Sequence, residues 1–141
     1  MKFENPTTLE QLNRYNERSL FRSVLGGEIT EFGSGVCRLR AYPGPDVRQF
    51  LGAVHGGILG AIADDAAAWA CASVAGELVT ASYSVELLAP AMGPVLVAEG
   101  EASKLGRTLC VGRSSVFSVD GDSRVLVALF QGTFARNPGQ G

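Results

Sequence analysis

The sequence predicts an α+β fold, an antiparallel sheet built around one long buried helix. Three observations carry this. Residues 55–72 form a continuous small, apolar run holding seven alanines, a helical composition that is apolar almost all round and therefore belongs inside the protein. Segments of period 2 flank this run and are joined by short Gly-containing turns. The strands come in successive hairpins instead of alternating with helices, which excludes a doubly wound sheet.

The elements follow in order. Thr7 to Arg18 reads as a short helix: Asn5-Pro6-Thr7 is start chemistry, Glu10 stands three after Thr7, and Leu9, Leu12 and Tyr15 recur at helical spacing. Gly26-Gly27 marks a change of period, so Val24–Phe32 and Val36–Tyr42 are expected to be strands joined at Gly33-Ser34-Gly35. In the second strand Val36, Arg38, Arg40 and Tyr42 face one way and Cys37, Leu39 and Ala41 the other. Pro43-Gly44-Pro45-Asp46 opens a loop that runs to Val54, where the long helix begins. Beyond Gly76, Leu78–Leu88 alternates, with Val79, Ala81, Tyr83, Val85 and Leu87 on one face and Thr80, Ser82, Ser84, Glu86 and Leu88 on the other. Val95–Ser103, a turn at Lys104-Leu105-Gly106-Arg107, Thr108–Val119, an Asp-Gly turn at 120–123 and Arg124–Phe134 complete the sheet. One helix covers one face of a sheet this size, so the other face or an edge is expected to meet another subunit.

Composition sets bounds on function. The chain has 141 residues, 46% of them hydrophobic and 18% charged, enough for one full core without disulfide or metal staples. It reads as a single domain, 1–141, with an N-terminal helical extension at 1–19 and a frayed tail at 137–141. Twelve basic residues stand against fourteen acidic, which leaves no basic footprint for nucleic acid or an anionic membrane. No run of about 18 continuous apolar residues argues for a spanning helix. The N-terminus lacks the apolar stretch of a secretory signal. Cys37, Cys71 and Cys110 are scattered and odd in number, as expected of reduced thiols in a cytoplasmic protein. The single histidine, His55, leaves no His/Cys cluster for zinc.

Two features point to chemistry. Asp64 and Asp65 interrupt the apolar helix, and an ionised carboxylate buried there is unfavourable unless partnered. The nearest basic residues in the chain are Arg48 and Lys104. Adjacent helical positions point about 100° apart, so the two acids serve different surroundings. A carboxylate raised in pKa by a dry pocket is suited to act as general base or nucleophile. The second feature is His55-Gly56-Gly57 at the helix start, where free N–H groups can stabilise developing negative charge. The plainer alternatives are a solvated helix edge for the acids and a structural loop for the histidine and glycines. The Gly56-Gly57-x-x-Gly60 spacing lacks the pattern and the feeding strand of a dinucleotide site.

Val54-His55-Gly56-Gly57 with Asp64 nine residues after the histidine resembles the hotdog-fold acyl-CoA thioesterases of the PaaI, or phenylacetate-pathway, type. Leu88-Ala89-Pro90-Ala91, Gly106-Arg107-Thr108 and Gln131-Gly132-Thr133-Phe134 extend the resemblance in the same order, over about residues 20–136. It implies a hotdog fold and a thioester hydrolase in which Asp64 is the catalytic carboxylate and the Gly56 N–H is an oxyanion donor. It further implies that Gln49 polarises the thioester carbonyl, His55 orients the loop, and Thr80 assists the water. Gly57, Gly106 and Arg107 fall where the acyl-CoA substrate is bound, Arg107 near its phosphates. The resemblance also implies that coenzyme A enters as part of the substrate, with no metal and no separate cofactor, and that the assembly is a homotetramer made of two hotdog dimers with sites at the dimer interface. Asp65 departs from the family, which commonly has a small or hydroxyl residue there. Leu59, Ile62, Trp69, Phe50 and Tyr83 are the candidate acyl-facing positions. A non-catalytic acyl-CoA-binding protein would need the same pocket without a competent carboxylate. A hydratase or dehydratase would need its histidine deep in the site, where this chain has Asp64.

Overall fold

Small residues decide how the long helix meets the sheet. In the computed structural model, which describes residues 6–136, the helix α2 spans Gly56–Ala75 and lies across six antiparallel strands: β1 (Glu28–Gly33), β2 (Val36–Ala41), β3 (Leu78–Leu87), β4 (Val95–Leu105), β5 (Leu109–Asp120) and β6 (Ser123–Arg136). Their order across the sheet is β1-β2-β4-β5-β6-β3. The helix carbonyls rest directly on two central glycines. A Cβ on Gly100 would come 2.1 Å from the Ala66 carbonyl oxygen, and one on Gly112 would come 2.9 Å from both the Ala67 oxygen and Cys71 Sγ. Between these contacts the Ser114 hydroxyl donates to the Ala63 carbonyl at 2.7 Å. Ala63, Ala66, Ala67 and Ala70 are fully buried at this seam, and Phe21, Leu25, Leu39, Leu96 and Phe134 fill the volume around it. The architecture is the hotdog fold that the resemblance implies, and the core is the expected α+β one.

Several boundaries differ from the sequence reading for identifiable reasons. The first helix, α1, spans Leu9–Tyr15 and is capped by Thr8, not Thr7. Thr8 and Gln11 form the reciprocal capping box, so Gln11 takes the place expected of Glu10. Thr7 instead donates its backbone N–H to the Ala72 carbonyl at 2.9 Å, tying the N-terminal segment to α2. Leu20–Val24, partly assigned to a strand, is one wide helical turn in which the Leu25 N–H reaches the Leu20 carbonyl. It drives Phe21 inward, where its ring meets Trp69 edge-on at 5.2 Å. Lys104 and Leu105, read as turn, end β4, so the β4–β5 turn narrows to Gly106–Thr108. The loop from Pro43 contains a short 3-10 turn, Pro45–Val47, and Arg48 holds it by donating to the carbonyls of Gly52, Pro43 and Gly93. The expected tail, 137–141, and the first five residues lie outside the described residues.

By length and composition α2 could cross a membrane, although Asp64 and Asp65 interrupt its apolar run, as the sequence reading has it. Half of it is buried against the sheet, and its role here is that of the core helix.

Candidate active site

The strand β3 forms one edge of the sheet and pairs with β6. Its register breaks between Thr80 and Ser82, leaving Ala81 as an extra residue. This bulge reverses part of the alternation read from the sequence. Thr80 pairs with Phe134, Tyr83 with Gly132, Val85 with Phe130 and Leu87 with Ala128, so Thr80 joins Tyr83, Val85 and Leu87 on the helix side. A regular strand would have turned Thr80 to the outer face. The consequence is a direct contact: Thr80 Oγ1 donates to Asp64 Oδ1 at 2.8 Å.

Asp64 is half-buried. Burial raises its pKa above the ordinary 3.8, and the Thr80 hydroxyl, which favours the charged form, opposes the rise. Asp65, next along the helix, is pushed up to about 7 by burial first and by the neighbouring Asp64 charge second. The Asp65 charge in turn adds to the burial that lifts the Cys37 thiol on β2 to about 12. The two acids therefore belong to different flanks of one helix, Asp64 to the β3 flank and Asp65 to the flank toward β2. Neither meets the basic residues nearest in sequence: Arg48 is committed to the loop carbonyls and Lys104 ends β4.

At the helix start, His55 is the N-cap residue and its side chain makes no capping bond. Its backbone does the positioning: the N–H donates to the Val47 carbonyl at 3.0 Å, and its carbonyl accepts from Ile58 and Leu59 at 2.9 and 3.2 Å. The N–H groups of Gly56 and Gly57 lack intrahelical acceptors by helix geometry. Gly56 is held close to β3, where a Cβ would come 2.6 Å from Leu87 Cδ1, whereas a Cβ on Gly57 or Gly60 meets nothing described within 4 Å. Gln49 sits in a tight turn in which its side-chain Oε1 accepts from the Leu51 N–H. With its oxygen engaged there, the amide NH2 is left as the free donating end.

The structure brings Asp64 and Thr80 together but keeps the other predicted residues apart within one chain. From Gly56 to Asp64 the helix advances eight residues, about 12 Å. Thr80 lies in the strand row of Phe134, Cys110 and Leu105, so Gly106 and the exposed Arg107 sit just past the sheet end nearest Asp64. Gly56 faces Leu87 at the other end. Of the candidate acyl-facing positions, Leu59 and Ile62 are core residues and Trp69 packs on Phe21, so these three are corrected to structural roles. Phe50 is 95% exposed and Tyr83 60%. Among the described residues no His, Cys, Asp and Glu cluster could hold a metal ion. A hollow lined by Arg38, Glu99, Glu101 and Arg113 opens on the outer face, away from Asp64, and those four side chains already pair with one another.

The chain matches no curated protein. Among solved structures, a thioesterase family protein from Silicibacter pomeroyi is similar with a TM-score of 0.83 at 24% identity, covering 88% of this chain and 93% of that one. A mutant of the phenylacetic acid degradation protein PaaI from Thermus thermophilus is 29% identical, with a TM-score of 0.71 over 83% of this chain and 98% of that one. A hypothetical thioesterase from Streptococcus pneumoniae, solved with coenzyme A, has a TM-score of 0.74 at 22% identity, over 88% of this chain and 96% of its own. These neighbours define a hotdog-fold protein of the PaaI type. Residues 51–124 match the thioesterase superfamily, and the chain belongs to it.

Proposed function

We propose that this protein hydrolyses acyl-CoA thioesters to the free acid and coenzyme A, with Asp64 as the general base or nucleophile. The observation that carries this is the Asp64–Thr80 pair: a carboxylate raised by burial, oriented by a hydroxyl at 2.8 Å, on the open flank of the core helix. The chemistry needs a polarised carbonyl and a placed water. In this reading the thioester oxygen lies at the Gly56 N–H, with the Gln49 amide as a second donor. Asp64 takes a proton from water as the water oxygen bonds to the carbonyl carbon, or bonds to that carbon itself and is released by water afterwards. The C–S bond then breaks, and the coenzyme A sulfur leaves with a proton. Neither route needs a metal or separate cofactor.

Since Gly56 and Asp64 stand about two helical turns apart in one chain, a donor and base meeting at one carbonyl must come from two copies. The exposed edge of β3, with Val79, Tyr83 and Leu87 uncovered, supports an assembly in which copies meet there, first as a dimer and then as a homotetramer. Arg107 and Gly106, at the sheet end nearest Asp64, hold the phosphates of the substrate, and Gly57 leaves room for its pantetheine arm. Three buried free thiols suit a reducing, cytoplasmic setting.

The test is a thiol-release assay over a panel of acyl-CoA esters, run with the wild type and Asp64→Asn. Release that depends on Asp64 is the expected result. Acyl-CoA binding without release would replace the enzyme with a carrier or sensor.

A further inference from the structure

The loop that leads from β2 into α2 carries Gln49, and its only regular element is the 3-10 turn Pro45–Val47. Arg48 is what fastens it. Nη1 of Arg48 donates to the carbonyls of Gly52 and Met92 at 2.9 and 3.4 Å, and Nη2 to those of Gly93 and Pro43 at 2.7 and 3.3 Å. These bonds occupy every terminal N–H of the guanidinium. Arg48 takes part in none of the ion pairs among the described residues, so this half-buried cation is committed to neutral acceptors. The acceptors belong to separate segments: Pro43 just past β2, Gly52 on the far side of the Gln49 turn, and Met92 and Gly93 before β4. Gly93 is the firm end. Its N–H donates to the buried Ser118 hydroxyl on β5 at 2.9 Å, and a Cβ there would come 2.6 Å from the Val119 carbonyl oxygen. At the other end the turn is small and closed. The Gln49 N–H reaches the Ala53 carbonyl at 2.8 Å, the Gly52 N–H reaches the Gln49 carbonyl at 2.9 Å, and Gly52 stands at a φ of 94°. Because the Gln49 side chain folds back onto the Leu51 N–H, its amide NH2 goes wherever the turn goes.

We propose that Arg48 is a positioning residue for thioester hydrolysis, acting through Gln49. Its guanidinium fastens the Gln49–Ala53 turn to the sheet, so the Gln49 amide keeps its place as charge develops on the thioester oxygen. The proposal rests on the hydrolase reading and gives a role to a residue that touches no reacting atom. A donor speeds the reaction by being in place beforehand, because moving it during the reaction would consume the stabilisation it gives. Packing within the chain does not hold the tip of this turn, since Phe50 is 95% exposed and Leu51 69%. A lysine would keep the charge, but its single nitrogen cannot span carbonyls spread over separate segments. The plainer alternative is that Arg48 only stabilises the loop, and the two differ in how substitutions combine.

The test is a double-mutant cycle of Arg48→Met and Gln49→Ala, read as kcat and KM in the thiol-release assay. Gln49→Ala is expected to lower kcat by about 10²- to 10³-fold, the size of one oxyanion donor. Arg48→Met is expected to lower it by about 10- to 100-fold with KM little changed, because a misplaced donor is missed mainly in the transition state. The double variant is expected to be no slower than Gln49→Ala alone, since nothing is then left to position. A double variant slowed by the product of the two single losses would overturn the proposal. A merely structural role gives that product, because loss of folded protein multiplies with loss of a donor. Arg48→Met as fast as the wild type would overturn it as well. If Arg48→Met does not fold, Arg48→Lys carries the cycle, with a smaller loss and the same non-additivity expected. Cleavage with multiplied losses removes the positioning role and keeps the hydrolase. If the wild type releases no thiol from any ester, calorimetric binding of the ketone analogue of acetyl-CoA, with a methylene in place of sulfur, is put through the same cycle. Non-additive weakening there keeps the positioning role and removes the hydrolase, and any other pattern removes both.

Discussion

The two flanks of α2 are built on opposite principles. The flank toward β2 and the N-terminal segment carries the packing contacts: Trp69 packs on Phe21, the Thr7 N–H is bonded to the Ala72 carbonyl, and Asp65 is held where its charge is disfavoured. The flank toward β3 is left open. Asp64 keeps a hydrogen-bonded partner, Thr80, and glycines at 57 and 60 leave free space beside it. Two identical side chains, adjacent in sequence, thus have different chemistry because the helix turns about 100° between them. Asp64 is half-buried beside a hydroxyl partner, while Asp65 carries a stability penalty whenever it ionises.

The sharpest break in this comparison is to neutralise the two acids separately. Asp64→Asn is nearly isosteric and is expected to lower kcat/KM by ~10²- to 10⁴-fold, the range of a general base, with the melting transition preserved. Asp65→Asn is expected to leave most activity intact. Reversed outcomes, read in the same thiol-release assay, would exchange the roles of the flanks.

Thr80→Ala tests whether the β3 bulge matters chemically. A hydrogen bond to a charged group is worth about 1.5–3 kcal/mol, so a loss of roughly 10- to 100-fold is expected at a pH where the wild type is fully ionised. The pH profile gives a second readout. Under the proposed mechanism Asp64 works in its ionised form, so activity is expected to fall as pH drops through its raised pKa. Thr80 holds that pKa down, so removing the hydroxyl moves the acid limb to higher pH. An unmoved limb would show that the contact does not act on Asp64.

Asp65 makes the closed flank visible in stability instead of rate. Its pKa is about 7 in the fold, against ~3.9 in an unfolded chain. Between these values the native state holds the proton and the unfolded state does not, so stability declines as pH rises from about 4 to 7 and then levels off. Asp65→Asn removes this decline and is expected to stabilise the protein by about 1–3 kcal/mol at pH 8, with little change at pH 4. Denaturant melts at the two pH values decide it, and equal effects at both would assign the gain to packing.

The smallest expected effect lies furthest from the reacting bond. Arg107→Ala should raise KM for acyl-CoA by about threefold with kcat nearly unchanged, because a contact to phosphates that keep their charge through the reaction is uniform binding. High salt should mimic the substitution. An equal effect on an acyl-pantetheine lacking the nucleotide phosphates would remove Arg107 from substrate recognition.

Much of this was legible in one dimension. The alanine run required a buried helix, the period-2 segments and glycine turns required hairpins, and the side-chain faces of β2 were read correctly because that strand keeps its register. The His55-Gly56-Gly57 start and the spacing to Asp64 are also local facts, since a helix converts spacing directly into rise and angle. Tertiary structure decided what depends on partners distant in the chain. The Ala81 bulge, and with it the turning of Thr80 toward Asp64, exists only in the pairing of β3 with β6, which no alternation pattern encodes. Thr7 gave up the capping position to bond Ala72, 65 residues away, and Thr8 took it. Whether Leu59, Ile62 and Trp69 lined a pocket or filled the core depended on what packed against α2, and sequence cannot tell which apolar face meets a neighbour. Sequence by itself determined the elements and the presence of two acids. The difference between those acids came from the surfaces folded against them, because a carboxylate's charge is set by its burial and its partners.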